Sequence, residues 1–231
     1  MNKQLAWHWV NKTLRDGSPI PRDGKWLEYK GIIRMCKSGL HASRTPWQAL
    51  EYARGNTLCL VEVDGIVTEG ADKLVCSRRK IIARMDAESL LRYFSRMQAL
   101  SVVDKWDVPD VVLDWLMTGD KDLQSAAWLA AESASESASE SRSGSRLGSR
   151  LGSAESAARS AAWSAEWSAA RFMARWAARS AAESAARWAA ESAKWSGVRW
   201  AAESAAESAA ESAASKFFLD LVVECFSEFL P

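Results

Sequence analysis

Leu58-Cys59-Leu60-Val61-Glu62-Val63-Asp64-Gly65 is a short apolar run rich in β-formers that closes on a turn pair, and it predicts a buried strand followed by a turn. Lys73-Leu74-Val75-Cys76 and Lys80-Ile81-Ile82-Ala83 predict two further strands downstream. Upstream, Thr45-Pro46-Trp47-Gln48-Ala49-Leu50-Glu51-Tyr52 predicts a short helix. Thr45 can cap it, Pro46 suits the first helical position, and Gly55 ends it. Asp86-Ala87-Glu88 opens another helix with an acidic first turn, carrying Leu90, Leu91, Phe94, Met97 and Leu100 on its apolar positions. Asp107-Val108-Pro109-Asp110 breaks that run, and a further helix over 111–117 stops at Thr118-Gly119-Asp120. Strands and helices interleave in this way over residues 1–120, which gives a small mixed α/β domain.

From Ser125 the text changes to a four-residue unit, Ser-Ala-Ala-X, with X mostly Trp, Arg or Glu. Alanine is the best helix former, no proline interrupts the run, and pairs such as Arg179 and Glu183 or Arg187 and Glu191 meet on a helix surface. Residues 121–215 are therefore expected to be a long alanine- and serine-rich α-helical repeat region, broken at 141–153 where Ser141-Arg142-Ser143-Gly144 and two more glycines intervene. The fold class is α+β. A period of four lags the helix by roughly 40° per repeat, so no slot keeps one face. Trp163, Trp167, Trp188 and Trp195 still fall within roughly 80° of each other, while Phe172 and Trp176 point nearly opposite. Those four tryptophans are the candidate binding residues. Seven of the thirteen tryptophans lie on the repeat. A polar helix of this kind needs partners, and self-association is expected. Residues 216–231 predict an amphipathic C-terminal helix with Asp220, Glu224, Ser227 and Glu228 as its polar stripe, docked into a core or a dimer interface.

Lys plus Arg number 30 against Asp plus Glu 29, a net charge of +1, which argues against general nucleic-acid binding. Cys36, Cys59, Cys76 and Cys225 form no CxxC pair and read as reduced thiols in a cytoplasm. No run of roughly 20 apolar residues suggests a membrane span. No metal and no cofactor is expected, since HExxH, P-loop and Ser-His-Asp patterns are all missing.

Histidine is scarce, His8 and His41 alone, and each can serve as an acid–base group or as a structural bond to backbone. Asp72 precedes a strand, where its carboxylate can accept turn N–H groups. The basic run Arg78-Arg79-Lys80 can contact phosphate, but a solvated strand end explains it as well and is preferred. Glu203, Glu207 and Glu211, with Glu132, Glu136 and Glu140, could imitate phosphate spacing. A solvent-facing helix is the plainer explanation.

Cys36 followed by Gly39-Leu40-His41-Ala42-Ser43, then Ala49-Leu50-Glu51-Tyr52-Ala53, the Leu58–Gly65 run, and Arg79-Lys80-Ile81-Ile82 resemble an uncharacterised domain of tailed-phage and prophage proteins that continues into alanine-rich repeats. That resemblance implies no known activity. The Leu-His-Ala-Ser strand end, the Ala-x-x-Tyr-Ala helix and the following strand are also similar to the middle of ADP-ribosyltransferase-like folds. This second likeness implies His8 at the first-strand position that holds nicotinamide ribose, His41 or Ser43 in the second motif, and Asp72 near the place of a catalytic glutamate. The chain departs from that pattern in lacking an Arg or His-Gly-Thr first motif and in offering aspartate. A non-enzymatic phage accessory protein is therefore expected, binding a host or phage protein in the host cytoplasm, with countering of host defence one such role. The alternative is an enzyme using NAD or a nucleotide through His8, His41, Ser43 and Asp72.

Overall fold

A computed structural model of the protein describes residues 4–14, 16–105, 107–141, 156, 170–191 and 196–230, with backbone alone at 105, 135–141, 170–174, 185, 187–191 and 196–203. Two compact units form: Met1–Glu88 together with Phe217–Pro231, and Ser89–Lys216. The division falls at the end of the sheet, earlier than the composition boundary near residue 120.

In the first unit the order is β1 (Gln4–Val10), β2 (Trp26–Glu28), β3 (Leu40–Ala42), α1 (Pro46–Leu50), β4 (Thr57–Glu69) and β5 (Leu74–Asp86). The run around Leu58 is indeed a strand, but Asp64-Gly65 does not end it. Gly65 takes φ 76°, and the register with β5 slips between Asp64 and Val67, so the turn pair makes a bulge inside one long strand. The two strands expected over 73–83 are likewise one, β5, which pairs antiparallel with β4 along almost its whole length. α1 is capped as its sequence implies: Thr45 Oγ1 accepts from the Gln48 N–H at 3.1 Å.

The sheet closes on itself. β1 pairs antiparallel with β4, β4 with β5, and β5 with β3. The residue after β3 returns to β1, where Trp7 N–H donates to Ser43 O at 2.8 Å and Ser43 N–H to Trp7 O at 2.9 Å. β2 extends the same edge of β5 beside β3. Successive side chains of a strand face opposite sides, so the closed path has an inner and an outer face. Ala6, Val10, Ala42, Cys59, Val61, Val63, Leu74, Cys76 and Ile81 pack as one apolar cluster on the inner face. Trp7 and Trp9 alternate with them and face outward. Trp9 Nε1 donates to Pro46 O of α1, and Trp7 meets Phe226 of the chain's end edge-on with ring centroids 5.1 Å apart.

The helices are α2 (Glu88–Leu100), α3 (Asp110–Thr118), α4 (Lys121–Ser141), α5 (Ala170–Glu191) and α6 (Ser196–Cys225), with a 3-10 turn at Val103–Lys105. Within the second unit, Ala99, Val102, Val112, Trp115, Leu116, Ala127, Ala131 and Ala181 form a core in which alanine lets backbones approach closely. On α5, Ala177, Ala178, Ala181, Ala182 and Ala186 are buried, Arg179 pairs with Glu183 at 3.1 Å, and Trp176 points to solvent. The architecture is thus mixed α+β, an antiparallel sheet followed by helices. Among the described residues, no helix is long and apolar enough to cross a membrane. The expected break lies outside the described residues from 142 to 153, as do Trp163, Trp167 and Trp195; Trp188 lies on α5 with its side chain outside them.

Candidate functional site

The inner face of the closed sheet sets polar side chains among apolar neighbours. His8 lies between Ala6 and Val10 on β1, and its register partner on β4 is Cys59. Arg79 on β5 stands opposite Val63, a member of the inner cluster. The run Arg78-Arg79-Lys80 is therefore not a solvated strand end throughout. Alternation turns Arg78 and Lys80 to one side and Arg79 to the other, where it is only 7% exposed.

The two outward cations are well supplied with partners. Arg78 donates to Asp64 at 3.0 Å and forms an ion pair with Glu28 at 3.2 Å, Lys80 forms one with Glu62 at 2.9 Å, and both sit 4.6 Å from the centre of the Trp26 ring. Arg79 has no carboxylate among the described residues; its guanidinium donates to the backbone oxygen of His41. Burial lowers its pKa, and the groups that oppose this lowering are the thiols Cys76 and Cys59. Those thiols give it no counter-charge at neutral pH, because burial pushes each of them up to about 11. His8 is held well below its ordinary 6.5, first by burial, then by the Arg79 and His41 charges, so it is a neutral imidazole beside the guanidinium. His8 nonetheless keeps part of its surface accessible.

The other sequence candidates are occupied differently. His41 Nε2 accepts from the Cys36 N–H at 3.2 Å, steadying a turn in which Cys36 takes φ 62°. Gly39 precedes the strand at φ 111°, and a Cβ there would stand 2.5 Å from Val75 Cγ2, so the Gly-Leu-His run needs its glycine. Ser43 is 2% exposed and its backbone makes the closure with Trp7. Asp72 lies in the turn from β4 to β5, where its carboxylate accepts from the Tyr52 hydroxyl; that hydroxyl is the main reason its pKa is lowered, and its own backbone N–H in the turn is a lesser one. Lys73 Nζ sits 4.1 Å from the centre of the same Tyr52 ring. His8 and His41 thus come within electrostatic reach of each other, whereas Asp72 belongs to a separate surface group. Among the described residues, no His, Cys, Asp and Glu cluster has the makings of a metal site.

Sequence reasoning missed Arg79, Cys59 and Cys76 as neighbours. The signal was available: in a strand flanked by Leu74-Val75-Cys76 and Ile81-Ile82, three successive cations cannot all face outward.

A family profile described as "Domain of unknown function (DUF7666)" matches residues 4–93, which takes in the whole closed sheet and α1. No curated protein and no solved structure matches the chain.

Proposed function

We propose that this chain works by binding and not by turnover: a phage accessory protein that engages a protein of the host or of the phage in the host cytoplasm. One observation carries the reading. Asp72, the only acid among the four candidate residues, accepts from the Tyr52 hydroxyl beside Lys73 and stands apart from His8, so the candidates do not assemble into an acid–base set. His41 Nε2 is engaged by the turn, and Ser43 is buried at the sheet closure, 2% exposed. The protein-binding surface in this reading is the serine- and alanine-rich helical repeat with its tryptophans, through which copies also associate. Trp176 supports it, being 59% exposed on a helix that buries Ala177, Ala178, Ala181, Ala182 and Ala186.

A second reading, an enzyme using NAD or a nucleotide, draws its support from His8 and His41 lying in electrostatic reach of a buried arginine. One experiment separates the two. Full-length protein and its Trp176→Ala variant are used as bait in lysate from infected cells, and the same preparations are incubated with NAD. The binding reading expects one stoichiometric partner, retained about tenfold less by the variant, and no nicotinamide. Nicotinamide release that disappears in a folded Asp72→Asn or His41→Ala variant overturns it in favour of the enzyme.

A further inference from the structure

We infer that the inside of the closed sheet is an oxyanion site, in which Arg79 is the anchor and a phosphate group of a small molecule is the missing counter-charge. The inference stands apart from the proposed protein partner and holds whether or not that partner exists.

A guanidinium taken out of water loses several kcal/mol of solvation, and a buried ion is ordinarily retained with an opposite charge beside it. This strand displays both situations side by side. Arg78 and Lys80, the partly exposed neighbours, have three carboxylates between them. Arg79 is the one of the three that needs a carboxylate most, and among the described residues it has none.

A single backbone oxygen does not discharge the group. Arginine presents five N–H donors in a planar fork, and the bond to His41 O uses one edge of that fork. Among the described residues no carboxylate bonds this guanidinium; Asp23 and Asp64, whose charges reach Cys59 and Cys76, are paired with Arg84 and Arg78 instead. Ala6, Val10, Val61, Val63 and Ile81 are apolar, and the thiols of Cys59 and Cys76 stay protonated at neutral pH. Cys76 Sγ already donates to Leu40 O at 3.3 Å.

What remains is a positive fork facing a low-dielectric interior with a neutral imidazole beside it. Neutral His8 has one N–H to give, so the pair offers an anion a charged fork and a neutral donor. As residues, His8 is half-buried and Arg79 is 7% exposed, so neither is sealed off completely. A phosphate matches the fork in two parallel bonds, and the low dielectric strengthens them. Free inorganic phosphate and the phosphate of a nucleotide share this chemistry.

The test uses the full chain and two probes, inorganic phosphate and adenosine monophosphate, each titrated by calorimetry at constant ionic strength. Arg78→Met serves as control, since its side chain faces away and phosphate also stabilises proteins non-specifically by exclusion from their surface. The expected result is saturable binding of at least one probe by the wild type and by Arg78→Met, with affinity at least about tenfold weaker in Arg79→Met. The probe that binds identifies the source. If Arg79→Met does not fold, Arg79→Lys keeps the charge and removes the fork, and affinity should again fall about tenfold. Absence of saturable binding by the wild type to either probe overturns the inference, as does an affinity unchanged in Arg79→Met or, where that variant fails to fold, in Arg79→Lys. Nicotinamide plays no part in this readout, so its outcome is independent of the enzyme reading.

Discussion

His8 takes up a proton less readily in the folded protein than in the unfolded chain, because burial and the Arg79 charge both oppose a second positive group there. The consequence for stability has a definite sign. Above about pH 6.5 the residue is neutral in both states and contributes nothing that varies with pH. Below that value the unfolded chain binds the proton while the folded chain does not, so stability falls as the pH drops from 6.5 towards the lowered folded value. Asp72, whose folded pKa is also lowered, adds a loss in the same direction at more acid pH, weakened by solvent screening near the surface. Urea unfolding at pH 7.5, 6.5 and 5.5 should therefore show a declining midpoint. In His8→Gln the decline across that window should be much shallower; an identical slope would mean that His8 titrates normally in the fold. An anion held by Arg79 would raise the proton affinity of His8, so these melts belong in chloride buffers free of phosphate.

At the scale of elements, chemistry that is local proved legible and chemistry that depends on pairing did not. Thr45-Pro46 announced α1, Asp86-Ala87-Glu88 the start of α2 and Thr118-Gly119 the end of α3, since a cap is decided by a few neighbouring residues. Asp64-Gly65 has the composition of a turn, yet what it becomes depends on β5 lying opposite, and there it makes a bulge. The candidate site was hidden for the same reason, because which of three cations faces inward is a matter of register. The end of α3 offers a direct check on local chemistry. Gly119 takes φ 72° and returns its N–H to Trp115 O at 2.8 Å, and a Cβ placed there would lie 2.5 Å from Arg96 Cζ. Arg96 in turn donates to Leu116 O at 3.0 Å, one of the carbonyls the helix end leaves open. Gly119→Ala should then cost about 1–2 kcal/mol, from the left-handed backbone and from displacement of Arg96. Arg96→Ala removes the second contribution and should make the same glycine substitution less costly, which a double-mutant cycle by chemical denaturation measures.

Taken whole, the first compact unit is assembled from the two ends of the chain. Residues of the C-terminal helix that the sequence reads as an apolar surface looking for a core find one in their own chain: Phe218, Val222 and Phe226, spaced at i, i+4 and i+8, are at most 2% exposed. Phe226 meets Trp7 of β1, and Phe218 meets Trp47 of α1 with centroids 5.8 Å apart. The outer face of the sheet, which Trp7 and Trp9 make apolar, is thereby met by Phe226, far from it in the sequence. Closing so long a loop costs only logarithmically with its length, so a few aromatic contacts suffice to hold the end in place. Truncating Phe226 to alanine should cost about 3–5 kcal/mol, as a buried aromatic does when no neighbour can collapse into its space. The loss should appear in the tryptophan fluorescence melt, because Trp7 is the ring it touches. A chain ending at Ser215 exposes the whole tryptophan face, and light scattering should find it aggregated where the full chain is dispersed. A truncated chain that stays dispersed and melts with the full chain's midpoint would show that the aromatic contacts do not hold the unit together, and would free the C-terminal helix to bind elsewhere.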